Sequence, residues 1–333
     1  MQNPFISIII PVYNGATTLQ ICLDSVFQSF YPHFECIVVD DHSTDNSIEI
    51  AESYRTKTIR SPVQGGAASA RNRGAETAQG DVLLFIDADV EIYPDSLDIV
   101  AEAFAKNPNI SAIFGSYDDK PGCSNFFSQY KNLFHHYIHQ TSLEDASTFW
   151  SGCGAIKRKV FFEIGKFDET YKKSSIEDIA LGYKLKRKNH HIRLMKKLIV
   201  KHLKPYSFVS LIKSDFFDRA IPWTVLMLNN KQLANDLNLK VKHKLSALLL
   251  FFIPIFLLLA FNYTWFLLPS ILSFVLLLML NYDLYEFFLK KRGTFFTFRV
   301  VPLHFLYYFY SALGFTIGYF KHLYTKNSLV KSP

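Results

Sequence analysis

Two carboxylates one residue apart, Asp87 and Asp89, follow an unbroken apolar run from Val82 to Ile86. So short a run, bounded by Gly80 and Asp81 before it and by the acids after it, predicts a strand buried on both faces at the centre of a parallel sheet. Ligand chemistry in such sheets sits just beyond the strands' carboxyl ends. Residues i and i+2 of an extended segment point the same way, so Asp87 and Asp89 are expected to converge on one hard cation that takes oxygen ligands and bridges phosphates. Alone, an Asp-x-Asp more often marks a solvated turn. A second acidic pair, Glu177 and Asp178, opens a predicted helix, where macrodipole compensation is the common explanation. The weight therefore falls on the elements around both pairs.

Those elements alternate. Phe5 to Asn14 reads as a strand ending at Pro11, followed by a helix over 16–30 with Thr17 or Thr18 as cap. Phe34 to Asp41 is a second buried strand, and Ser43-Thr44-Asp45 opens a helix through Tyr54. A short strand over 57–60 leads into Gln64-Gly65-Gly66. The helix over 67–78 carries Arg71 and Arg73; Arg71 would meet phosphate charge or lie on a solvated face. Beyond Asp89 the pattern predicts a helix over 94–106, a strand over 110–115, a helix over 123–140 and a strand over 148–157 whose glycines allow close approach to a ligand. A helix over 175–188 and a last strand over 198–203 containing His202 complete the front. The alternation predicts an α/β fold built on a doubly wound parallel sheet.

Composition locates a different region behind it. The 333-residue chain is 49% hydrophobic and 16% aromatic, high for a wholly soluble protein. The excess lies in apolar runs at 245–261, 265–281 and 300–320, near the length of a bilayer span. Over 207–228 and 235–244 apolar and basic residues interleave at helical spacing, which predicts helices lying in the membrane interface. The net charge is +7. Basic clusters at 184–188, 196–197, 240–244 and 290–292 point to anionic lipid headgroups rather than nucleic acid. The four cysteines show no pairing or metal spacing and are expected to be reduced. Met1 to Val12 lacks the basic region and the length of a signal peptide.

Five motifs stand in one order: Pro-Val-Tyr-Asn at 11–14, Val-Val-Asp-Asp-His-Ser-Thr-Asp at 38–45, Gly-Gly and Ala-Arg-Asn-Arg-Gly within 65–74, Asp-Ala-Asp at 87–89 and Ile-Glu-Asp at 176–178. Across residues 5–205 this resembles the family 2 glycosyltransferases, inverting enzymes of the GT-A fold that use nucleotide-sugar donors. The resemblance implies a GT-A, nucleotide-diphosphosugar transferase-like domain over 1–204, and the composition adds interfacial helices over 205–244 and a transmembrane region over 245–333. It implies that Pro11, Tyr13 and Asp40 hold the nucleoside, with Gly66 and Arg71 beside the donor. Asp87 and Asp89 would then reach Mg2+ or Mn2+ and the diphosphate, with His202 as a further metal ligand. Asp178 would be the catalytic base and Glu177 its positioning partner; spacing alone leaves the choice between these two even.

Inverting transfer needs a carboxylate to take a proton from an acceptor hydroxyl and a cation to neutralise the departing diphosphate. Two departures matter. His42 occupies a turn position where the family usually has Gly, and the Gln-x-x-Arg-Trp signature of processive members is absent. The expectation is single-sugar transfer to a lipid acceptor, a polyprenyl phosphate or a glycolipid, by a multi-pass membrane protein whose catalytic domain is cytosolic. A stretch at 174–185, with 201–207 and 236–239, is similar to members acting on such lipids. Lys240, Lys242 and Lys244 beside the first span agree with that orientation. Residues 300–320 would form a third span or a re-entrant segment. The alternative function is an inactive nucleotide-sugar-binding membrane scaffold or sensor, whose signature would be loss of Asp89 or Asp178.

Overall fold

The computed structural model describes residues 3–173, 175–230 and 240–330. The chain divides into two compact units, Met1–Ser207 and Phe208–Pro333.

The first unit is built on one eight-stranded sheet in the order β3-β2-β1-β4-β7-β6-β8-β5. Its N-terminal half is β1 (Ile6–Val12), β2 (Phe34–Asp40), β3 (Lys57–Arg60) and β4 (Val82–Ile86), all mutually parallel. Every residue of β4 is buried, as its apolar run dictates. The helices between them are α1 (Ala16–Phe27), α2 (Ser47–Glu52) and α3 (Ala67–Thr77). The remaining strands are β5 (Val90–Ile92), β6 (Ile110–Tyr117), β7 (Cys153–Lys157) and β8 (His191–His202). β7 runs antiparallel to both β4 and β6, and β5 antiparallel to β8. The expectation of a wholly parallel sheet is thus corrected to a mixed one. The cause is the connection between β4 and β7, which holds β5, β6, α4 (Ser96–Lys106) and α5 (Phe126–Gln140) and returns to the sheet from its other end.

Two expected strands move as well. The one placed over 148–157 starts only at Cys153, and the one placed over 198–203 is twelve residues long. In β8 the burial of Ile192, Leu194, Leu198 and Val200 follows the pleat, while the charged residues between them face outward. Three lysines of the basic clusters form ion pairs within this unit: Lys197 with Glu102, Lys186 with Asp145 and Lys188 with Glu163. Two further helices, α6 (Arg158–Glu163) and α7 (Glu177–Arg187), complete the unit. Its cysteines are free, and Cys22, Cys36 and Cys153 are buried. Burial pushes the Cys36 and Cys153 thiols up to about 12.

The second unit is helical. Phe208–Lys213 (α8), a π-helical turn over Ser214–Ala220 and Ile221–Asn230 (α9) form one run. It packs against α12 (Tyr282–Val330), where a Cβ on Gly314 would come within 2.6 Å of Ala220 and one on Gly318 within 2.7 Å of Thr224. Small residues four apart let two helices approach this closely. Residues 231–239, part of the expected interfacial helix over 235–244 and of the lipid-acceptor-like stretch, lie outside the described residues, as does Ser174.

The apolar runs become α10 (Val241–Ala260), α11 (Leu267–Leu280) and α12, whose helix is interrupted at Gly293 (φ 78°). Val241–Ala260 and Tyr282–Tyr324 are long and apolar enough to cross a membrane by length and composition. At 14 residues, α11 is about 21 Å long, short of a hydrocarbon core of about 30 Å. Residues 300–320 are helical throughout, with Pro302 inside the helix. At the foot of the α10–α11 hairpin Tyr308 Oη donates to Asn281 Oδ1 at 2.7 Å, and Asn281 Nδ2 donates to Ser246 Oγ at 3.0 Å. His243 Nδ1 lies 2.9 Å from the same tyrosine hydroxyl, whose proton is already given, so it acts as donor. His304 is fully buried, 3.1 Å from the Tyr285 hydroxyl.

Candidate active site

Because β1, β2 and β4 are parallel, their carboxyl ends share one edge of the sheet, and Val12, Asp40 and Ile86 all end there. The loops beyond are tied together by side chains. Asn14 N–H donates to Ser43 Oγ at 2.9 Å and Gly15 N–H to Ser47 Oγ at 3.0 Å. The expected caps Thr17 and Thr18 give way to Asp45, which accepts the Ala16 N–H at 3.0 Å from the neighbouring loop. His42 takes the left-handed conformation (φ 70°) that a glycine would adopt more easily.

Pro11 is half-buried at the end of β1 and Tyr13, 48% exposed, projects beyond it. Asp40 is fully buried, accepts the Ser43 N–H at 3.1 Å and lies 3.6 Å from Arg60 Nε. Gly66 is held rather than open: its N–H donates to Asp41 Oδ2 at 2.7 Å, and Gly65 N–H donates to Asp41 Oδ1 at 2.8 Å. Its φ is +87°, and a Cβ there would stand 2.3 Å from the Lys172 carbonyl oxygen.

The two central acids do not form an extended pair. Residues 87–89 make a tight turn in which Val90 N–H donates to the Asp87 carbonyl at 3.0 Å, so the i, i+2 rule of a strand does not apply. Asp87 turns to Arg71, whose Nη2 donates to Oδ1 at 2.6 Å. Asp89 turns to His202, with 3.7 Å between Oδ2 and Nε2. That contact follows from the β5–β8 register, which sets Val90 opposite His202. The imidazole is buried and stacks on Tyr117 at 4.2 Å between centroids. Burial would raise the Asp89 carboxyl, but the hydrogen bond and charge of His202 and the charge of Lys204 outweigh it and hold it below the usual carboxylate value.

Arg71 does not lie on a solvated face. It is 1% exposed, and besides Asp87 it reaches Glu177, with Nη1 donating to Oε1 at 2.9 Å. Burial alone would lower its pKa, yet Asp87 and Glu177 together push it above the ordinary value. Glu177 is 2% exposed and its second oxygen accepts the Ser175 N–H at 2.7 Å. The guanidinium therefore ties the turn after β4 to the first residue of α7. This brings Asp178, the next residue, to the same region as the β4 turn. Asp178 is half-buried and accepts Ser151 N–H at 3.2 Å and Ile179 N–H at 2.7 Å.

A divalent cation has a partial seat here. Asp89 and His202 present an oxygen and a nitrogen donor to each other, a pair suited to Mn2+, whereas one oxygen of Asp87 already accepts from Arg71. Among the described residues no three His, Cys, Asp or Glu side chains gather as a metal cluster. Such a site fits ions bound through one or two side chains and completed by substrate phosphates and water. Two residues that the sequence did not single out support this edge. Asp41 was legible as the second acid of Asp40-Asp41 ahead of Gly65-Gly66, while Ser151 carried no signal apart from the glycines around it.

Comparison with known proteins agrees with this architecture. Residues 7–165 match the glycosyl transferase family 2 profile. It is 41% identical over 93 residues to the uncharacterized glycosyltransferase YibD of Escherichia coli K12, covering 27% of each chain. It is 34% identical over 122 residues to the Escherichia coli UDP-Glc:alpha-D-GlcNAc-diphosphoundecaprenol beta-1,3-glucosyltransferase WfgD, covering 35% of this chain and 47% of that one. The chain thus spans between about a quarter and a half of the length of these two relatives. In fold it is similar to the mannosyltransferase PcManGT of Pyrobaculum calidifontis, solved with GDP-Man and Mn2+, at a TM-score of 0.56 and 17% identity, over 95% of this chain and 88% of that one.

Proposed function

We propose that the protein is a metal-dependent inverting glycosyltransferase that moves one sugar from a nucleoside-diphosphate sugar to a lipid-linked acceptor at the cytosolic face of a membrane. The observation that carries the reading is the Arg71 bridge, because it joins the turn bearing Asp87 and Asp89 to the helix bearing Asp178. Tyr13 offers an exposed ring to a nucleobase, and Asp40, at the buried end of β2, offers a carboxylate to a base N–H. A divalent ion held by Asp89 and His202 would neutralise the departing diphosphate. Asp178 takes the proton from the acceptor hydroxyl, and its Ser151 and Ile179 hydrogen bonds orient the carboxylate for that step. If the acceptor is a phosphate it is already ionised, and Asp178 contributes less.

WfgD acts on a diphosphoundecaprenol-linked sugar by its name, which supports a lipid-linked acceptor here. The apolar helices of the second unit support membrane attachment, with the lysines at 240–244 on the cytosolic side. The test is incubation of membranes containing the full chain with a panel of labelled nucleotide sugars, followed by lipid extraction. Label in the lipid phase that disappears with excess chelator is the expected result. Nucleotide-sugar binding without transfer to any lipid, hydroxyl or phosphate acceptor would establish the scaffold or sensor reading instead.

A further inference from the structure

The end of the sheet opposite the acids carries a second concavity. β7 runs antiparallel to β4 with Lys157 opposite Val82, so the start of one strand and the end of the other meet at the edge remote from Asp87. A cavity of about 830 Å3 opens there, within the range of small-molecule sites. Val82, Phe104 and Phe162 supply apolar wall, and Lys157, Arg158 and Lys159 supply three consecutive cations.

The acids in the same lining leave most of that positive charge unanswered. Glu76 is already paired with Lys166 at 2.5 Å. Asp81 accepts the Arg158 N–H at 2.9 Å through its backbone carbonyl rather than through its carboxylate. Lys157 Nζ donates to the Pro108 carbonyl. Among the described residues no ion pair joins Lys157, Arg158 or Lys159 to a carboxylate.

Arg158 is the most specific element. Its guanidinium carbon lies 5.1 Å from the centroid of the Phe162 ring, which holds it against the apolar wall. Its Nε is buried and has no hydrogen-bond partner. A guanidinium fixed on an aromatic ring presents terminal N–H groups that match the oxygens of a phosphate or carboxylate. We propose that this cavity binds a small organic anion, a phosphate or carboxylate on an apolar or aromatic body, independently of the nucleotide-sugar site. Arg158 and Lys159 hold the charged head, and Val82, Phe104 and Phe162 take the body.

Isothermal titration of the full chain in detergent with 1-naphthyl phosphate tests this directly. The expected result is saturable binding that persists in saturating nucleoside diphosphate and is lost when 1-naphthol replaces the phosphate ester. Arg158→Gln should weaken binding by about tenfold or more, the scale of a hydrogen bond to a charged group. Lys159→Glu, at an exposed position where folding is not at stake, should weaken it as well while leaving the denaturation midpoint unchanged. Absence of saturable binding, equal affinity in both variants and the parent, or displacement by nucleoside diphosphate would each overturn the proposal; the last would assign the ligand to the catalytic edge.

Discussion

Replacing Arg71 with Met removes the charge that two carboxylates share at the centre of the first unit. The contacts are 2.6 Å to Asp87 and 2.9 Å to Glu177. Charges about 4 Å apart at an effective dielectric of about 20 interact by about 4 kcal/mol. The two partners do not weigh equally. The Asp87 side chain is 31% exposed, so water screens and re-solvates it once the arginine is gone, whereas the Glu177 side chain is 3% exposed and is left buried without its counterion. Removing one member of a buried pair costs about 3–5 kcal/mol, most of it the stranded charge rather than the lost attraction. Arg71→Met should therefore destabilise the full chain by about that amount in a urea titration. Adding Glu177→Gln should recover more than half of it, because the neutral amide leaves no buried charge. The assay is the set of four proteins in one detergent, with circular dichroism at each urea concentration. A single variant within about 1 kcal/mol of the parent, or a double variant no better than the single, would refute the reasoning that Glu177 is the member at risk.

Asp89→Asn should lower transfer by about 100-fold or more and flatten its response to added Mn2+, read from initial rates across a metal titration. Asp178→Asn should lower transfer to a hydroxyl acceptor by about 100-fold or more with donor affinity unchanged; a collapse of donor affinity in nucleotide-sugar titrations would move the residue to the donor side. Gly66→Ala should destabilise the fold by about 2–3 kcal/mol in the same urea assay, since the alanine must adopt a positive φ and displace the Lys172 carbonyl. A cysteine at Asn262, in the turn between α10 and α11, should react with an impermeant maleimide in intact cells. The thiols of Cys36 and Cys153, buried and pushed up to about 12, should stay silent; protection of the new cysteine until the membrane is opened would reverse the proposed orientation.

The parts of this molecule that the sequence made legible are those whose signal is local. The β4 run announced a buried central strand because five consecutive apolar residues bounded by glycine and acids admit few other structures. The positions of Asp87 and Asp89 were legible, but their directions were not. Strand periodicity ends at Ile86, and the turn that follows is set by β5 finding β8 more than one hundred residues later. Arg71 illustrates the same limit. On a helix wheel it shares its face with Ala67, Ala68, Gly74 and Ala75, which marks that face as inward, but only the tertiary approach of α7 supplies its Glu177 partner. β8 was misjudged in length because its lysines and arginine alternate with buried residues, and charge clustering masked a period of two. The mixed sheet was hidden for a simpler reason: strand direction depends on where a connection re-enters, and no residue of β7 encodes that by itself.

The hydrogen-bonded group at the foot of the α10–α11 hairpin bears on how the second unit behaves in a bilayer. Asn281 is shared between Ser246 on one helix and Tyr308 on another, and the same hydroxyl engages His243. Sliding α10 by one turn, about 5.4 Å, would break both of the contacts that α10 makes to this group, Ser246 with Asn281 and His243 with Tyr308. Apolar contacts alone would tolerate such slippage, since leucine meets leucine at every turn. Three helices pinned at one depth move as a single wedge, so a change in bilayer thickness should tilt the whole unit rather than shear its helices past one another.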